Sequence, residues 1–419
     1  MSNVSTVIED IFARKIFDSR GEETIEVDVV TASGFGRSSA PAGASRGKAE
    51  AVPYPKRGVD QAIRKVKEII SPELIGMEAD QQEEVDSLLH EIDGTTDFSS
   101  IGGNTAYAIS LATTEAAANS LGIPLFQHLA GHSVNELPFP LGNVLGGGKH
   151  AKGKVPDIQE FLVLPLKAKS FSQAAKVNTS VHQKVGSLLK KSDANLAVGK
   201  GDEGAWAPNM KNEDALEIVV KACKEVSEEF GVKCKIGLDF AASTLWNLKE
   251  NRYVYIQDRT RKDSEEQLDY VLSLIEKYNL VYVEDPFHEE DFENFAELAK
   301  KVKGCLICGD DLFVSNRERL TRGLSLGAGN AIIVKVNQVG TLSDVWETTR
   351  IAKKAKFTPV MSHRSGETAD TKIAHLAVAF NCPIIKTGIV GGERVAKINE
   401  LIRIEEILGT KAKMSTISV

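Results

Sequence analysis

The sequence predicts an α/β protein in which a smaller N-terminal α+β domain, residues 1–135, precedes a βα barrel, residues 136–419. With 419 residues, 42% of them hydrophobic, the chain is long enough for one large domain and a smaller companion. The alternating stretch "TIEVDVVTA" predicts a strand, and a glycine-rich turn and helical patterns follow it. Beyond "GHSVNELPFPLGNV", short apolar runs alternate with amphipathic helical patterns, which is typical of a barrel.

The charge pattern argues against nucleic acid and membrane as partners. The chain has 51 Lys and Arg residues against 58 Asp and Glu residues, a net charge of -7, with no dense basic block. An anionic substrate therefore needs local positive charges or metal ions. The most apolar helical stretch is interrupted by Glu115, Asn119 and Pro124, which predicts a buried helix rather than a membrane span. Because no secretory signal is visible at the N-terminus, we expect a cytoplasmic protein.

The five cysteines indicate a reducing compartment rather than a disulfide framework. Cys305 and Cys308 form a C-x-x-C pattern within the strand-like run "GCLICGDDLFV". Residues three apart on a strand point to opposite faces, and no second pair exists to complete a zinc site. We therefore expect buried thiols at both positions.

A glycine pattern in "AVGKGDEGAWAPNM" resembles a nucleotide-binding fingerprint but lacks its context. Gly199, Gly201 and Gly204 have the spacing G-x-G-x-x-G. However, Asp202 and Glu203 inside the loop would repel a phosphate, and no helix start follows. The loop must present Glu203 for another purpose.

Six charged or imidazole side chains follow successive apolar runs of the predicted barrel. They are Asp239, Glu284, Asp310, Lys335, His363 and Lys386. In a βα barrel the carboxyl ends of the strands meet at one face, where the catalytic residues lie. A single such residue would be an ordinary strand end, but six in succession predict an active site.

These residue types favour magnesium-assisted proton abstraction. Asp239, Glu284 and Asp310 supply the hard oxygen ligands that Mg²⁺ prefers. Lys335 lies among apolar residues in "AIIVKVNQ", where desolvation and a neighbouring cation such as Lys386 would lower its pKa and make it a base. The metal would stabilise the resulting enolate.

The segment "SHRSGET" predicts a clamp for an anionic group. Arg364 and Ser365 are expected just before a helix, where a guanidinium and helix N-terminal amides can hold a phosphate or carboxylate.

Several motifs together resemble the enolase family, and its archaeal members in particular. The most specific are "GDEGAWAPN", "VEDPF", "GDDLFV", "KVNQVGTLSD" and "SHRSGET", and the resemblance runs from "IFDSRGEETIEVDV" to "RVAKINELIRIEEILG". It implies an enolase-type βα barrel with an N-terminal α+β domain. The implied activity is a hydro-lyase that reversibly dehydrates 2-phospho-D-glycerate to phosphoenolpyruvate in glycolysis and gluconeogenesis.

The resemblance also implies residue roles. Lys335 would remove the C2 proton and Glu203 would protonate the departing C3 hydroxyl. The substrate would be bound by Lys335 together with His150, Gln159, Glu160, His363, Arg364, Ser365 and Lys386. Asp239, Glu284 and Asp310 would hold one Mg²⁺, and Ser45 would contribute to a second Mg²⁺ recruited with the substrate. A homodimer or a higher homo-oligomer such as an octamer is expected.

Three alternatives remain at this stage. A related lyase or racemase could act on a non-phosphorylated carboxylate, but Arg364 and Ser365 with Ser45 favour a phosphate. A Schiff-base aldolase could use Lys335, but three metal-type carboxylates would then be superfluous. A non-catalytic scaffold would be expected to lack a site residue, and none is missing.

Overall fold

A computed structural model describes residues 5–44, 46–192 and 199–417. The N-terminal part begins with an antiparallel three-stranded sheet, β1-β2-β3. Alternate residues of the second strand, Ile25, Val27 and Val29, are fully buried, as the alternation predicts. The strands are β1 Ile8–Phe17, β2 Glu23–Thr31 and β3 Phe35–Ser39. The helices are α1 Val59–Lys65, α2 Ser71–Leu74, α3 Gln82–Asp93, α4 Gly103–Leu121 and α5 Leu125–Ala130.

Helix α4 is the apolar stretch that the sequence predicted to be buried, and this prediction is confirmed. Most of its residues are buried on all sides, and it contacts β2 and β3. Within the described ranges no helix is long and apolar enough to cross a membrane.

The second part of the chain alternates strands and helices around a large sheet. Its strands are β4 Glu136–Leu137, β5 Phe139–Pro140, β6 Gly142–Gly146, β7 Glu160–Leu166, β8 Gly199–Lys200, β9 Trp206–Ala207, β10 Lys233–Asp239, β11 Trp246–Asn247, β12 Arg252–Tyr255, β13 Thr260–Lys262, β14 Tyr282–Glu284, β15 Leu306–Gly309, β16 Ala331–Val334, β17 Thr358–Ser362, β18 Ile384–Lys386 and β19 Lys413–Met414. Its helices are α6 Phe171–Ser192, α7 Asn212–Phe230, α8 Ser264–Tyr278, α9 Phe292–Lys301, α10 Arg317–Leu326, α11 Leu342–Lys354, α12 Lys372–Ala379 and α13 Gly392–Leu408.

The large sheet has the strand order β5-β18-β17-β16-β15-β14-β10-β7-β6-β9-β8. Neighbours from β10 through β18 to β5 are parallel, as expected for successive βα units. The predicted barrel is confirmed, but β7 departs from the parallel pattern, because it is antiparallel to both β6 and β10. Consequently the first residue of β7, Glu160, lies at the same edge as Asp239, the last residue of β10.

Two apolar cores stabilise the fold. One lies in the barrel, between the large sheet and its helices. The other combines the N-terminal sheet and α4 with side chains of the barrel helices α11, α12 and α13, among them Val345, Leu376 and Leu401. The two parts of the chain therefore share apolar packing.

The cysteines behave as the sequence predicts. All five lie in the described part and none forms a disulfide. Cys305 and Cys308 are buried, and burial raises the pKa of the Cys308 thiol well above its usual range.

Candidate active site

The carboxyl edge of the large sheet brings the predicted site residues together through strand register. Asp239 is paired with Glu284 on the parallel neighbour β14 and with Glu160 on the antiparallel neighbour β7. Ser362, which precedes His363, is paired with Lys386 on β18. Their side chains therefore meet at one edge of the sheet, as expected for residues at the carboxyl ends of barrel strands.

A single recess collects nearly the whole predicted set. It is lined by Gly43, Ala44, His150, Gln159, Glu160, Glu203, Asp239, Asp310, Lys335, Ser362, His363, Arg364, Ser365 and Lys386. Glu284 lies directly behind this lining and is fully buried. Ser45, the predicted ligand of a second magnesium, lies outside the described residues.

Lys386 lies among the carboxylates of the rim. Its Nζ is 3.0 Å from Asp239 Oδ2, 2.9 Å from Glu284 Oε2 and 3.3 Å from Glu160 Oε2. These three negative charges more than offset burial, so the pKa of the Lys386 ammonium is raised well above its usual range. Burial and the charge of Asp239 raise the pKa of Glu284 to about 8. Lys386 and the three carboxyl groups therefore form one buried cluster of ionisable groups.

Lys335 contacts Asp310, and this corrects the sequence expectation of a lowered lysine pKa. Burial does lower the pKa of Lys335, but its ion pair with Asp310 Oδ2 outweighs burial and raises the pKa above its usual value. The second oxygen of Asp310 accepts a hydrogen bond from Gln338 Nε2 at 2.9 Å. The expectation failed because it counted neighbouring cations but not the carboxylate one strand away.

Glu203 projects from a tight loop between β8 and β9. Gly204 has φ +77°, and a Cβ there would lie 2.3 Å from the carbonyl oxygen of Val390, so only glycine fits. Asn143 Nδ2 donates to Glu203 Oε2 at 3.1 Å, and His363 Nε2 lies 3.2 Å from Glu203 Oε1. The glycines therefore shape a loop that presents a carboxylate, and no helix N-terminus follows them.

Glu203 and Glu160 both lie beside His150. His150 Nδ1 lies 3.4 Å from Glu160 Oε1 and 3.6 Å from Glu203 Oε1. Burial and the charge of Glu203 raise the pKa of Glu160 well above its usual range. Burial alone would also raise the pKa of Glu203, but His363, His150 and Arg394 hold it well below its usual range. The two neighbouring carboxyl groups therefore differ in pKa, and Glu160 is the weaker acid of the two.

Arg364 and Ser365 face the recess from the loop after β17. Arg364 Nη2 is 3.0 Å from both carboxylate oxygens of Glu50, and Nη1 donates to Asn337 Oδ1 at 3.0 Å. The Ser365 hydroxyl accepts a hydrogen bond from the backbone N–H of Ala44 at 2.6 Å. The expected adjacent helix is wrong, because α12 begins only at Lys372. A β-bridge between Gly366 and Ala42 keeps the intervening loop extended.

Two supporting residues were missed by sequence reasoning. Glu50 pairs with Arg364 from the N-terminal domain, and nothing in its local sequence marks it. Asp285 adopts φ +39°, and its carboxylate accepts the backbone N–H groups of Asp310 at 3.0 Å and Asp311 at 2.7 Å. Its place directly after Glu284, in "VEDPF", was the available signal. Such strain in a non-glycine residue is typical of functional loops.

The acidic residues of this rim fit a divalent cation. Donor oxygens of Asp285, Asp310 and Asp311 lie within 4.8 Å of one another, next to Asp239 and Glu284 on the neighbouring strands. Carboxylate oxygens are the ligands that hard cations prefer.

Comparison with known proteins supports the same conclusion. The family model "Enolase, N-terminal domain" matches residues 8–129, and "Enolase, C-terminal TIM barrel domain" matches residues 134–419. The enolase of Methanosphaera stadtmanae is 55% identical over 97% of this chain and 98% of its own length. The enolases of Methanothermobacter thermautotrophicus and Archaeoglobus fulgidus are 52% and 49% identical, each over 96% of this chain and 97% and 98% of their own lengths. With its barrel, its rim of paired charges and full-length archaeal relatives, the chain belongs to the enolase family.

Proposed function

We propose that Lys335 and Glu203 carry out the two proton transfers of the enolase reaction, each from its own group of side chains in the recess. Family membership makes the chain a carbon–oxygen hydro-lyase of glycolysis, and the reaction is the reversible dehydration of 2-phospho-D-glycerate to phosphoenolpyruvate. The observation that carries the proposal is the separation of the ionisable residues into two groups. Lys335 belongs to the Asp310 group, whereas Glu203 belongs to the His150–Glu160–His363 group.

Lys335 acts as the base that takes the proton from C2. The lysine is charged in the ligand-free protein because of Asp310, so it must first lose a proton. Two nearby cations, Arg364 and Lys386, act against its protonated form. If the Asp310 carboxylate bound another positive group instead of Lys335, the ion pair would be lost. The pKa of Lys335 would then fall toward the working range of a base.

The metal is proposed as Mg²⁺, two per site. Asp239, Glu284 and Asp310 would hold the first ion, and Ser45 would contribute to the second, which arrives with the substrate. When bound, the ions supply positive charge that stabilises the negative charge left on the substrate after proton removal.

Glu203 acts as the acid toward the C3 hydroxyl. It is ionised in the ligand-free protein, so it must gain a proton before dehydration. The negative charges of the substrate raise the pKa of Glu203, and Glu160, whose own pKa is raised by burial and by the charge of Glu203, is the neighbouring carboxyl group that can supply the proton. His150 lies between the two carboxylates and orients them.

Arg364 and Ser365 bind the substrate phosphate, and Lys386 lies beside the substrate carboxylate. Gln159 and His363 line the same recess and complete the substrate contacts. The substrate class, a phosphorylated carboxylate, follows from the family. The homo-oligomer and the cytoplasmic location stay predictions.

The decisive experiment measures C2 proton exchange and dehydration separately. In D₂O with Mg²⁺, Lys335→Ala should lose both exchange into 2-phosphoglycerate and formation of phosphoenolpyruvate. Glu203→Gln should lose dehydration by at least about 10²-fold yet retain measurable exchange. Exposed residues provide matched controls, Lys354→Ala and Glu276→Gln, which should behave as wild type.

Two outcomes would contradict the proposal. If Glu203→Gln loses exchange as completely as Lys335→Ala while still binding substrate, the two roles are wrongly assigned. If the wild type turns over fully in excess chelator, the magnesium assignment is wrong.

A further inference from the structure

Arg394 is the largest fully buried side chain of the fold, and the proposed mechanism does not use it. It lies in the first turn of α13 and is 0% exposed. An arginine cannot give up its proton inside a protein, so its N–H groups must find acceptors. The identity of these acceptors indicates what the residue does.

The Arg394 guanidinium joins two loops of the active site. Its Nη1 donates to the carbonyl oxygen of Arg364 at 2.6 Å, and its Nη2 donates to the carbonyl oxygen of Ser365 at 2.5 Å. Nη2 also donates to the carbonyl oxygen of Asp202 at 3.4 Å, directly before Glu203. One planar group therefore holds the phosphate-binding loop and the Glu203 loop at a fixed separation.

The same guanidinium also determines where the proton of His363 lies. Arg394 Nη1 is 2.7 Å from His363 Nδ1. Because arginine can only donate, Nδ1 must be the acceptor and carries no hydrogen. Burial lowers the pKa of His363 to about 4, so the ring is neutral and its single N–H is on Nε2. This Nε2 is the atom that faces Glu203 Oε1 at 3.2 Å.

We propose that Arg394 is a positioning residue that fixes the Nε2–H tautomer of His363 toward Glu203 and holds the Glu203 loop against loop 363–368. This proposal rests on the proposed role of Glu203 as the acid. An imidazole with the opposite tautomer would turn a lone pair toward the carboxylate and repel it. Arg394 thereby acts on dehydration through His363 and without contact to the substrate.

Lys397 provides a matched control on the same face of α13. It is 1% exposed, and its Nζ lies 2.9 Å from both the carbonyl oxygen of Thr368 and Glu367 Oε2. It therefore holds the same loop from one turn further along the helix. Within the part of the chain that the structure describes, the polar contacts of Lys397 are with Thr368, Glu367 and Glu393, and not with His363 or the Glu203 loop.

The test reads the histidine tautomer directly. Long-range ¹H–¹⁵N spectra of the ¹⁵N-histidine protein resolve ring nitrogens that carry hydrogen from those that do not, and His363→Asn identifies the His363 signals among eight histidines. In the wild type at pH 7 we expect hydrogen on Nε2 alone. Arg394→Met should populate the Nδ1–H form, whereas Lys397→Met should keep the wild-type signature even though its thermal stability falls.

Activity gives the second reading. Arg394→Met should slow dehydration by about 10–100-fold, which is less than the loss expected when an acid–base residue itself is removed. The same variant should slow C2 proton exchange by a smaller factor. A wild-type Nδ1–H signal would overturn the proposal without any variant, so the test survives if Arg394→Met fails to fold. A change of tautomer in Lys397→Met equal to that in Arg394→Met would overturn it too. If the wild type shows hydrogen on Nε2 but does not dehydrate 2-phosphoglycerate, the proposed function fails and the positioning of His363 stands.

Discussion

At the scale of single residues, Arg364 shows how a buried charge is held ready for a ligand. It is 4% exposed, and its fork is shared by Glu50 from the N-terminal domain and Asn337 from the loop after β16. An uncompensated guanidinium at this depth would be strongly destabilising. The pairing with Glu50 and Asn337 therefore stabilises the buried charge of the proposed phosphate clamp in the ligand-free protein.

We predict that Arg364→Lys mainly raises KM for 2-phosphoglycerate, by about tenfold or more, and changes kcat less. Lysine has one point charge and cannot copy the planar fork, so uniform binding is lost in ground and transition states alike. Steady-state kinetics measure the split, with exposed Arg317→Lys as the control. A fall in kcat at unchanged KM, or comparable kcat/KM of the wild type on glycerate, would speak against a phosphate clamp.

A second prediction concerns stability and pH. Burial lowers the pKa of His363 to about 4 from the ordinary 6.5. Between these values the unfolded chain binds a proton that the folded protein does not, so the free energy of unfolding falls as the pH falls through this window. The full effect is on the order of 3 kcal/mol, since one pKa unit corresponds to about 1.4 kcal/mol.

His363→Gln should remove this contribution. Urea denaturation at pH 7 and pH 4.5 should therefore show a smaller loss of stability in His363→Gln than in the wild type. The exposed His132→Gln serves as the control and should keep the wild-type difference. Equal losses in all three proteins would show that His363 is not held neutral.

The sequence predicted the strand-end residues because each follows its own apolar run, so local order was enough. Glu50 and Arg394 could not be found this way, since each reaches Arg364 or its loop from a distant segment. The pKa of Lys335 was misjudged for the same reason: Asp310 lies beside it only in the folded sheet.

At the scale of elements, the Glu203 loop is fastened to helix α6 by Trp206. The Trp206 Nε1–H donates to the carbonyl oxygen of His182 at 2.9 Å, and His182 Nε2 is 3.0 Å from the carbonyl oxygen of Gly204. The two rings stack with centroids 5.3 Å apart. Gly186 leaves the space for the indole, because a Cβ there would lie 2.5 Å from Trp206 Cζ2.

The contact between Gly186 and Trp206 predicts that Gly186→Ala changes the free energy of unfolding in opposite directions with and without the indole. Gly186→Ala in the wild type should lower the free energy of unfolding by about 1–3 kcal/mol through overpacking. In a Trp206→Ala background the same change should raise it by about 0.5–1 kcal/mol, since alanine is the better helix former. Urea denaturation of the four proteins in a double-mutant cycle measures the coupling. The same sign in both backgrounds would rule out the contact.

The sequence predicted which segments form strands and helices better than it predicted the direction of a strand or the first residue of a helix. The apolar runs identified the strands, but no local signal showed that β7 runs against β10, because that depends on how the chain crosses the sheet. The start of α12 at Lys372 was equally hidden, since the bridge to Ala42 involves another domain.

At the scale of the whole molecule, the two proposed domains, residues 1–135 and 136–419, are joined by polar contacts. Asp86 accepts hydrogen bonds from the backbone N–H of Ser343 at 2.9 Å and from its hydroxyl at 2.6 Å. Asp370 accepts from Ser38 Oγ at 3.0 Å and from the backbone N–H of Ser39 at 3.1 Å. Segment 363–370 therefore lies between the N-terminal domain, which it contacts through Asp370, and α13, which it contacts through Arg394 and Lys397.

The shared core leads to the last prediction, that both domains unfold in one transition. Separating them would expose side chains such as Val345, Leu376 and Leu401 together with the N-terminal residues they pack against. Each buried aliphatic side chain contributes about 1.5–3 kcal/mol, so a separated intermediate would be strongly disfavoured. The three native tryptophans all lie in the barrel, and Phe12→Trp adds a probe at an exposed position of β1. In ¹⁹F spectra of the 5-fluorotryptophan-labelled variant, all four signals should lose their folded intensity at the same urea midpoint. The titration is repeated at a second protein concentration, and the four signals should again share one midpoint. An earlier loss of the signal added at position 12 would mean that the N-terminal domain opens independently.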